Sequence, residues 1–530
     1  MNGLTMDFPL TVPAILRRAE RFFGGREIVT RLPDRSPHRT TYGELLPRAR
    51  RLGAALRGLG IGRGERVATL CWNHHQHLEA YLGIPASCAV VHTLNLRLHP
   101  TDLAYIAAHA GDRALIVDES LLPLAEKFLN VTAIEHVIVV GDSYEELLAG
   151  AEPEDWAELD EREAAAMCYT SGTTGRPKGV LYSHRAIMLH SLASAMAGTL
   201  SVQESDTVLP VVPMFHANAW GFPFTCSLVG AKQVFPGPHL DPASLLELFE
   251  DERVTLTAGV PTIWLGILAA LDADPKAYDL SSLRGMIVGG SAAPRSMIDG
   301  FEQRHGLNVI HAWGMTELAP MGSVASLPLE LHEAPRDEQL DFRATQGLPC
   351  PLVEIRARSE SGLIPWDGQT MGELEVRGPW VASGYVGGED PERFTEDGWF
   401  CTGDIVTIDE RGTIEIQDRS KDVIKSGGEW ISSVLLENAL MAHPAVAEAA
   451  VIGVPDEKWA ERPLAVVVLR DGRSATLEEL REFLAPQFAK WWLPDAVEFV
   501  DETPKTAVGK FRKTALRETY AGSGTDRNPC

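Results

Sequence analysis

Short apolar runs alternate with helical patterns along most of the first four hundred residues. Val137–Val140, Val208–Val212, Thr255–Ala258, Met286–Val288 and Val309–Ala312 read as strands, with helical stretches such as His184–Met196 and Ser244–Glu250 between them. Parallel neighbours need a long crossover, usually a helix, so this alternation predicts an α/β fold of layered, largely parallel sheets. Ligands in such folds sit outside the carboxyl ends of the strands. Turns at 171–175, 289–291 and 314–317 follow strands, and their convergence on one crevice is an expectation. At 530 residues the chain exceeds one ordinary core, so two or more domains are expected.

After residue 350 the pattern changes. Val353–Arg358, Gly372–Val376 and Thr413–Ile416 read as short strands of a small β-rich subdomain. The charged, aperiodic run Asp418–Asp422 reads as a hinge, which divides the chain into a large domain, 1–418, and a small one, 419–530. The small domain has strands at Ala449–Val454 and Leu464–Leu469 and a helix at Leu477–Leu484, an α+β pattern. It carries 15 Lys and Arg against 17 Asp and Glu, net −2, so of the whole chain's −25 the large domain holds −23. Lys505, Lys510, Arg512, Lys513 and Arg517 give its end a basic character suited to an anionic ligand.

The acidic balance argues against nucleic acid or an anionic membrane as partner. No apolar run approaches the ~20 residues of a transmembrane segment. Met1–Phe23 carries Arg17, Arg18, Glu20 and Arg21 in a helical pattern and lacks a signal-peptide core. The seven cysteines form no CxxC pair and no metal-ligand spacing, and read as buried free thiols. These features together suggest the cytoplasm.

One segment carries chemistry. Tyr169-Thr170-Ser171-Gly172-Thr173-Thr174-Gly175-Arg176-Pro177-Lys178-Gly179 combines hydroxyls, glycines and a lysine after the apolar run Ala164–Tyr169. Glycines let backbone N–H groups approach a ligand, hydroxyls donate to phosphate oxygens, and a lysine adds charge. The segment reads as a phosphate-cradling loop. It is not a Walker A loop, which needs Gly, four residues, then Gly-Lys-Ser/Thr. Taken alone it also fits a hydroxyl-rich surface turn.

Several separated motifs complete the pattern: Pro213-Met214-Phe215-His216, Gly289-Gly290-Ser291-Ala292-Ala293-Pro294, Trp313-Gly314-Met315-Thr316-Glu317, Thr402-Gly403-Asp404, Lys425-Ser426-Gly427-Gly428-Glu429-Trp430-Ile431 and Pro504-Lys505-Thr506-Ala507-Val508-Gly509-Lys510. In this order, over nearly the whole length, the chain resembles the adenylate-forming superfamily of acyl-CoA synthetases, luciferases and peptide synthetases. Pro213–His216, Asn218–Trp220 and Lys425–Ile431 resemble bacterial long-chain fatty-acid–CoA ligases most closely.

The resemblance implies ATP, Mg²⁺ and coenzyme A as cofactors and co-substrates, a small-molecule carboxylic acid as substrate, a small mobile C-terminal domain and a homodimer contacting through its N-terminal segment. It implies that Thr170 and Glu317 ligate Mg²⁺, and that Ser171, Gly172, Thr173, Thr174 and Lys178 steer the β,γ-phosphates. His311, Ala312, Trp313, Gly314, Met315 and Thr316 would line the nucleotide, Trp313 standing where the family usually has tyrosine. Gly290 and Ser291 would let adenine and the acyl chain pass close to backbone. Asp404, assisted by Arg419, would accept the ribose hydroxyls, since a carboxylate offers two acceptor oxygens. Lys421 would mark the pivot, with Lys425 and Trp430 beside it and Gly427-Gly428 on the pantetheine path. Lys510 would bridge the carboxylate and the α-phosphate, making Lys510, Glu317 and Thr170 the catalytic set. His216 and Trp220 would line the acyl pocket, Trp220 as its gate.

Taken singly, most of these residues fit plainer roles. Glu317 alone reads as a solvated loop acid, Ser291 as a helix cap, Gly403-Asp404 as a turn, Lys510 as a surface lysine, and His216 and Trp220 as core residues. The implied activity is an ATP-dependent acid–thiol ligase acting through acyl-AMP on a fatty acid. Medium-chain, aromatic or short sulfur-containing acids, a carrier-protein acceptor, or a nucleotide sensor without turnover remain open at this stage.

Overall fold

The protein is described by a computed structural model, which covers residues 1, 3–170, 176–426, 429–456, 458–505 and 511–520. Ser171, Gly172, Thr173, Thr174 and Lys510 lie outside the described residues, as do Gly427 and Gly428. The chain divides into two compact units, Met1–Glu354 with Arg377–Phe400, and Ile355–Val376 with Cys401–Cys530.

The first unit is α/β, as the alternation predicts. Six strands run parallel through the body of a nine-stranded sheet, in the spatial order Glu27–Arg31, Lys232–Phe235, Thr207–Pro210, Leu256–Gly259, Gly285–Val288 and Val309–Gly314. Antiparallel strands close both edges: Pro37–Thr41 at one, Met321–Val324 and Leu348–Pro349 at the other. The six-stranded sheet runs His136–Val140, Asp112–Asp118, Arg66–Leu70, Val90–Thr93, Ala164–Tyr169, with Gly179–Ser183 as its one antiparallel strand.

Local sequence explains where the crossover helices start. Ser183 accepts the Ala186 N–H at the head of His184–Ala195, and Asp241 accepts the Ser244 N–H at the head of Pro242–Asp251. Apolar faces of these elements fill cores such as Leu209, Phe249, Trp264, Met286 and Phe301, all at least 99 % buried. The strand read from the sequence as Val208–Val212 stops at Pro210. Asn73 caps its end, Nδ2 donating to the carbonyls of Pro210 (3.1 Å) and Val212 (3.0 Å).

The second unit holds a five-stranded sheet in the order Gly362–Leu363, Glu354–Ser359, Gly372–Arg377, Phe400–Ile408, Ile414–Arg419. It also holds an α+β region in which Glu429–Ile431, Ile424–Ser426, Ala460–Leu469 and Val446–Asp456 pair in that order and Ala496–Phe499 adds beside Ala460–Leu469. Helices Ser433–Met441, Leu477–Leu484 and Lys513–Tyr520 belong to that region. The charged run read as a hinge is not all loop. Asp418 and Arg419 finish a strand, registered against Ile405 and Asp404. Asp418 is buried because Ser433 satisfies its carboxylate, its N–H donating at 2.6 Å and its hydroxyl at 2.5 Å.

Candidate active site

The hairpin formed by Ala164–Tyr169 and Gly179–Ser183 carries the phosphate-type loop at its tip. The base of that loop is closed by two bonds: Thr170 N–H donates to the Lys178 carbonyl (2.9 Å), and Lys178 N–H to Thr170 Oγ1 (3.1 Å). Gly179 has no room for a side chain, because a Cβ there would lie 3.0 Å from the Tyr169 ring and 3.1 Å from Val386. The Lys178 ammonium pairs with Asp390 and lies 5.4 Å from the centroid of the Tyr385 ring.

Tyr385 also reaches the second motif. Its hydroxyl donates to Glu317 Oε1 at 2.5 Å. Glu317 is 4 % exposed, so this carboxylate is not a solvated loop acid. Its backbone carbonyl accepts from Ala382 N–H (2.7 Å), and the Thr316 carbonyl accepts from Tyr182 on the hairpin (2.6 Å). Two tyrosines thus stitch the 313–317 segment to the phosphate-type hairpin and its neighbours. Burial, and then the charge of Glu317, push the Tyr385 phenol far above its ordinary range, so it stays a donor. Gly314 is required by the same construction: a Cβ there would fall on the Pro320 carbonyl, which instead accepts the Met315 N–H at 3.0 Å.

The aromatic segment after Thr207–Pro210 is held from below. Met214 N–H donates to Asn73 Oδ1 (2.8 Å), Tyr81 donates to the Met214 carbonyl, and Thr93 donates to the Phe215 carbonyl (3.1 Å). Past His216, the five residues from Ala217 to Gly221 all have positive φ, from 41° to 79°. Four are not glycine, and left-handed backbone costs such residues about 1–2 kcal/mol each. Such conformations persist only where surroundings over-determine them, commonly at functional sites. Here Cys168 Sγ donates to Asn218 Oδ1 (3.1 Å), and His190 fills the space beside Gly221.

The turn aims Trp220 at the glycine motif. A Cβ on Gly289 would lie 3.0 Å from the indole and 3.1 Å from the Ala312 carbonyl; Gly290 has φ +82°. Ala293 N–H donates to His311 Nε2 at 3.4 Å. Trp220, Gly289, Gly290, Ala293, His311 and Ala312 therefore meet within the first unit. His216 and Trp220 are half-buried, Ser291 is exposed, and Trp313 is buried with its ring beside Gly322. Burial pushes His311 down to about 4, so it is neutral at physiological pH.

In the second unit Asp404 is 1 % exposed and pairs with Arg419 Nε at 2.8 Å across the Phe400–Ile408 and Ile414–Arg419 strands. Lys421 follows in the turn, its ammonium lowered chiefly by burial. Lys425 and Trp430 sit opposite each other on Ile424–Ser426 and Glu429–Ile431.

The AMP-binding enzyme family matches residues 16–386, and the AMP-binding enzyme C-terminal domain matches residues 435–510. The chain belongs to the AMP-binding enzyme family. It is similar to a long-chain-fatty-acid–CoA ligase of Thermus thermophilus, 51% identical, with 97% of this chain and 96% of that one covered. It is also similar to a 3-methylmercaptopropionyl-CoA ligase of Ruegeria lacuscaerulensis, 44% identical over 98% of this chain and 99% of the relative. Among solved structures it matches an anthranilate CoA ligase in complex with anthranoyl-AMP, TM-score 0.87 and 26% identity, over 98% of this chain and 99% of that one.

Within this AMP-binding enzyme, Lys178, Thr170 and Glu317 offer the donor types a magnesium-bound triphosphate needs. A carboxylate and a hydroxyl are hard oxygen donors suited to Mg²⁺. Tyr385, Tyr182, Asp390 and Asn73 escape sequence reading, since no local motif joins Tyr385 to a carboxylate 68 positions away. Cys71, His74 and Asp118 approach within 4.8 Å of one another, a grouping that cysteine spacing does not reveal. Both His74 nitrogens are used there, Nε2 with Asp118 Oδ1 (2.8 Å) and Nδ1 accepting the His77 N–H (3.1 Å), which makes it a helix cap.

Proposed function

We propose that this AMP-binding enzyme is an ATP-dependent acyl-CoA ligase that activates a long-chain fatty acid as acyl-AMP and passes the acyl group to coenzyme A. The convergence of Lys178 and Glu317 on Tyr385 carries this reading, because it joins a phosphate-type cation to a buried hard-oxygen ligand.

The acid needs no general base, being ionised at neutral pH. The barrier lies in bringing two anions together and in charge on the phosphoryl oxygens, which fixed cations relieve. Lys178 and the loop hydroxyls hold the outer phosphates, and Lys510 bridges the carboxylate and α-phosphate. Glu317 and Thr170 would hold Mg²⁺, which would supply charge neutralisation when bound. Trp313 and the Gly289-Gly290 backbone flank adenine, with His311, Ala312, Gly314, Met315 and Thr316 along the nucleotide. Asp404 and Arg419 take the ribose. A functional boundary at 418/419 then lets residues 419–530 pivot about Lys421 for the thiol step, with Lys425 and Trp430 near the turning face.

Long-chain preference draws support from the Thermus relative and from the left-handed turn that presents Trp220 to the glycine motif. The Ruegeria relative favours a second reading, a short sulfur-containing acid. The exposed apolar Leu4, Met6 and Phe8 support a homodimer through the N-terminal segment. No helix among the described residues is long and apolar enough to cross a membrane, in keeping with a cytoplasmic site of action. A panel of carboxylic acids, assayed for pyrophosphate release with and without coenzyme A, tests the proposal. Long saturated acids should give the highest kcat/KM; a preference for methylthiopropionate would move the assignment to the second reading.

A further inference from the structure

The helix Lys513–Tyr520 begins three residues after Lys510, and its first two turns are tied by charge rather than by apolar packing alone. Lys513 is 9 % exposed, yet its ammonium lies 2.7 Å from Glu437 Oε1 and donates to Ser433 Oγ. Ser433 in turn donates to Asp418, at the end of the Ile414–Arg419 strand. Glu437 Oε1 also accepts the Val451 N–H at 2.7 Å. One turn further along, Arg517 pairs with Asp422 at 2.7 Å. Asp422 and Val423 both donate backbone N–H groups to the Arg419 carbonyl (2.8 Å each), so Arg419–Asp422 is a closed turn. Arg419 itself holds Asp404.

The other flank of the same segment is also pinned. Thr503 Oγ1 donates to Glu448 Oε2 (2.6 Å), and Lys505 pairs with Glu448 Oε1 at 2.5 Å. Lys505 bridges to Phe511, and Arg512 N–H donates to the Pro504 carbonyl at 2.7 Å. Residues 504–505 and 511–512 thus stand side by side.

Charge burial of this kind is costly without full pairing. Burial pushes Glu437 up to about 7 and raises Asp418. It works against the Lys513 charge, but Glu437 and Asp418 outweigh it and hold the ammonium above its ordinary range. Apolar packing by Leu516 against Ala450 and Ile452 would seat the helix without any of these ions. What the ions add is registration of its beginning against Asp418 and Asp422.

We propose that Lys513 and Arg517 are positioning residues for the adenylation half-reaction, fixing the C-terminal flank of the Lys510 segment to the Arg419–Asp422 turn through Glu437, Ser433, Asp418 and Asp422. The inference rests on the reading in which Lys510 serves adenylation and the chain pivots near Lys421. In that reading Lys513 and Arg517 tie the residues that follow Lys510 to both sides of Lys421, to Asp418 before it and to Asp422 after it.

The test uses the full chain in four variants, Lys510→Ala, Lys513→Met, Lys513→Arg and Arg517→Ala. Each is measured for acid-dependent ATP–pyrophosphate exchange, for thioester formation from supplied acyl-AMP, and for thermal unfolding. Lys513→Met should lower exchange about twentyfold and Arg517→Ala about fivefold, mainly in kcat, with thioester formation within about twofold of wild type. Lys513→Arg should recover most of the exchange. Should Lys513→Met fail to fold, Arg517→Ala decides, since Arg517 lies at a partly exposed rim. Equal loss of both half-reactions, intact exchange in folded Arg517→Ala, or no recovery in a folded Lys513→Arg overturns the proposal. Loss of exchange in Lys510→Ala alone would refute this inference but not its basis; intact exchange in Lys510→Ala would refute the basis.

Discussion

Tyr385→Phe isolates one bond at the centre of the site. The phenol donates to Glu317 Oε1 at 2.5 Å, and the carboxylate it serves is 4 % exposed. Removing the hydroxyl deletes only that donor and keeps the ring beneath Lys178. A hydrogen bond to a charged group contributes about 1.5–3 kcal/mol, and water has little access to replace it. If Glu317 must be held for the triphosphate and its metal, that loss appears as a drop of roughly 10- to 150-fold in kcat/KM for Mg·ATP. ATP–pyrophosphate exchange reads the adenylation step, and thioester formation from supplied acyl-AMP reads the second step. The second should stay within about threefold, because pyrophosphate and its metal have already left. Exchange within a factor of about two of wild type, or equal loss in both steps, would refute the reasoning.

Trp220→Ala should shift the chain-length profile, changing relative kcat/KM between short and long acids by about tenfold while KM for ATP stays within about twofold; an unchanged profile removes the indole from the acyl path. Acid should destabilise the fold steeply. Burial lowers His184, His190 and His311 to about 4, His77 to about 3 and His75 to about 2, so the unfolded chain takes up protons near 6.5 that the native one refuses. Their stabilisation is present above pH 6.5 and is lost as pH falls towards those values; Glu437, raised to about 7, acts in the opposite sense. Buried Glu79 and Asp418 are raised too and act like Glu437, but the five histidines outnumber these three carboxyls, and the net slope between pH 6 and 4.5 should reach roughly 3–5 kcal/mol per pH unit. Urea midpoints measured across that range check it, and a flat dependence would contradict it.

The fold and the site differ in how much the sequence discloses. Strand–helix alternation specified the parallel bodies of both sheets, because a crossover helix leaves a period that can be read locally. Glycines disclosed their positions for steric reasons: Gly289 faces Trp220 and Gly314 faces Pro320, where a side chain has no room. The left-handed run from Ala217 to Trp220 was illegible, since Ala, Asn, Ala and Trp do not announce positive φ and their conformation is imposed by Cys168, His190 and the strand end. Asp418 misled for a related reason. A charge looks solvated in sequence, whereas here a helix-opening serine and a buried lysine accommodate it. Tyr385 reaches Glu317 only through tertiary structure, so no spacing rule could pair them.

The most direct test of acid activation is exchange of labelled pyrophosphate into ATP with a long-chain fatty acid present and coenzyme A absent. Exchange should depend on the acid, need Mg²⁺ and fall sharply in Glu317→Gln. Absence of exchange in an enzyme that still makes thioester, or release of ADP and phosphate in place of AMP and pyrophosphate, would contradict it.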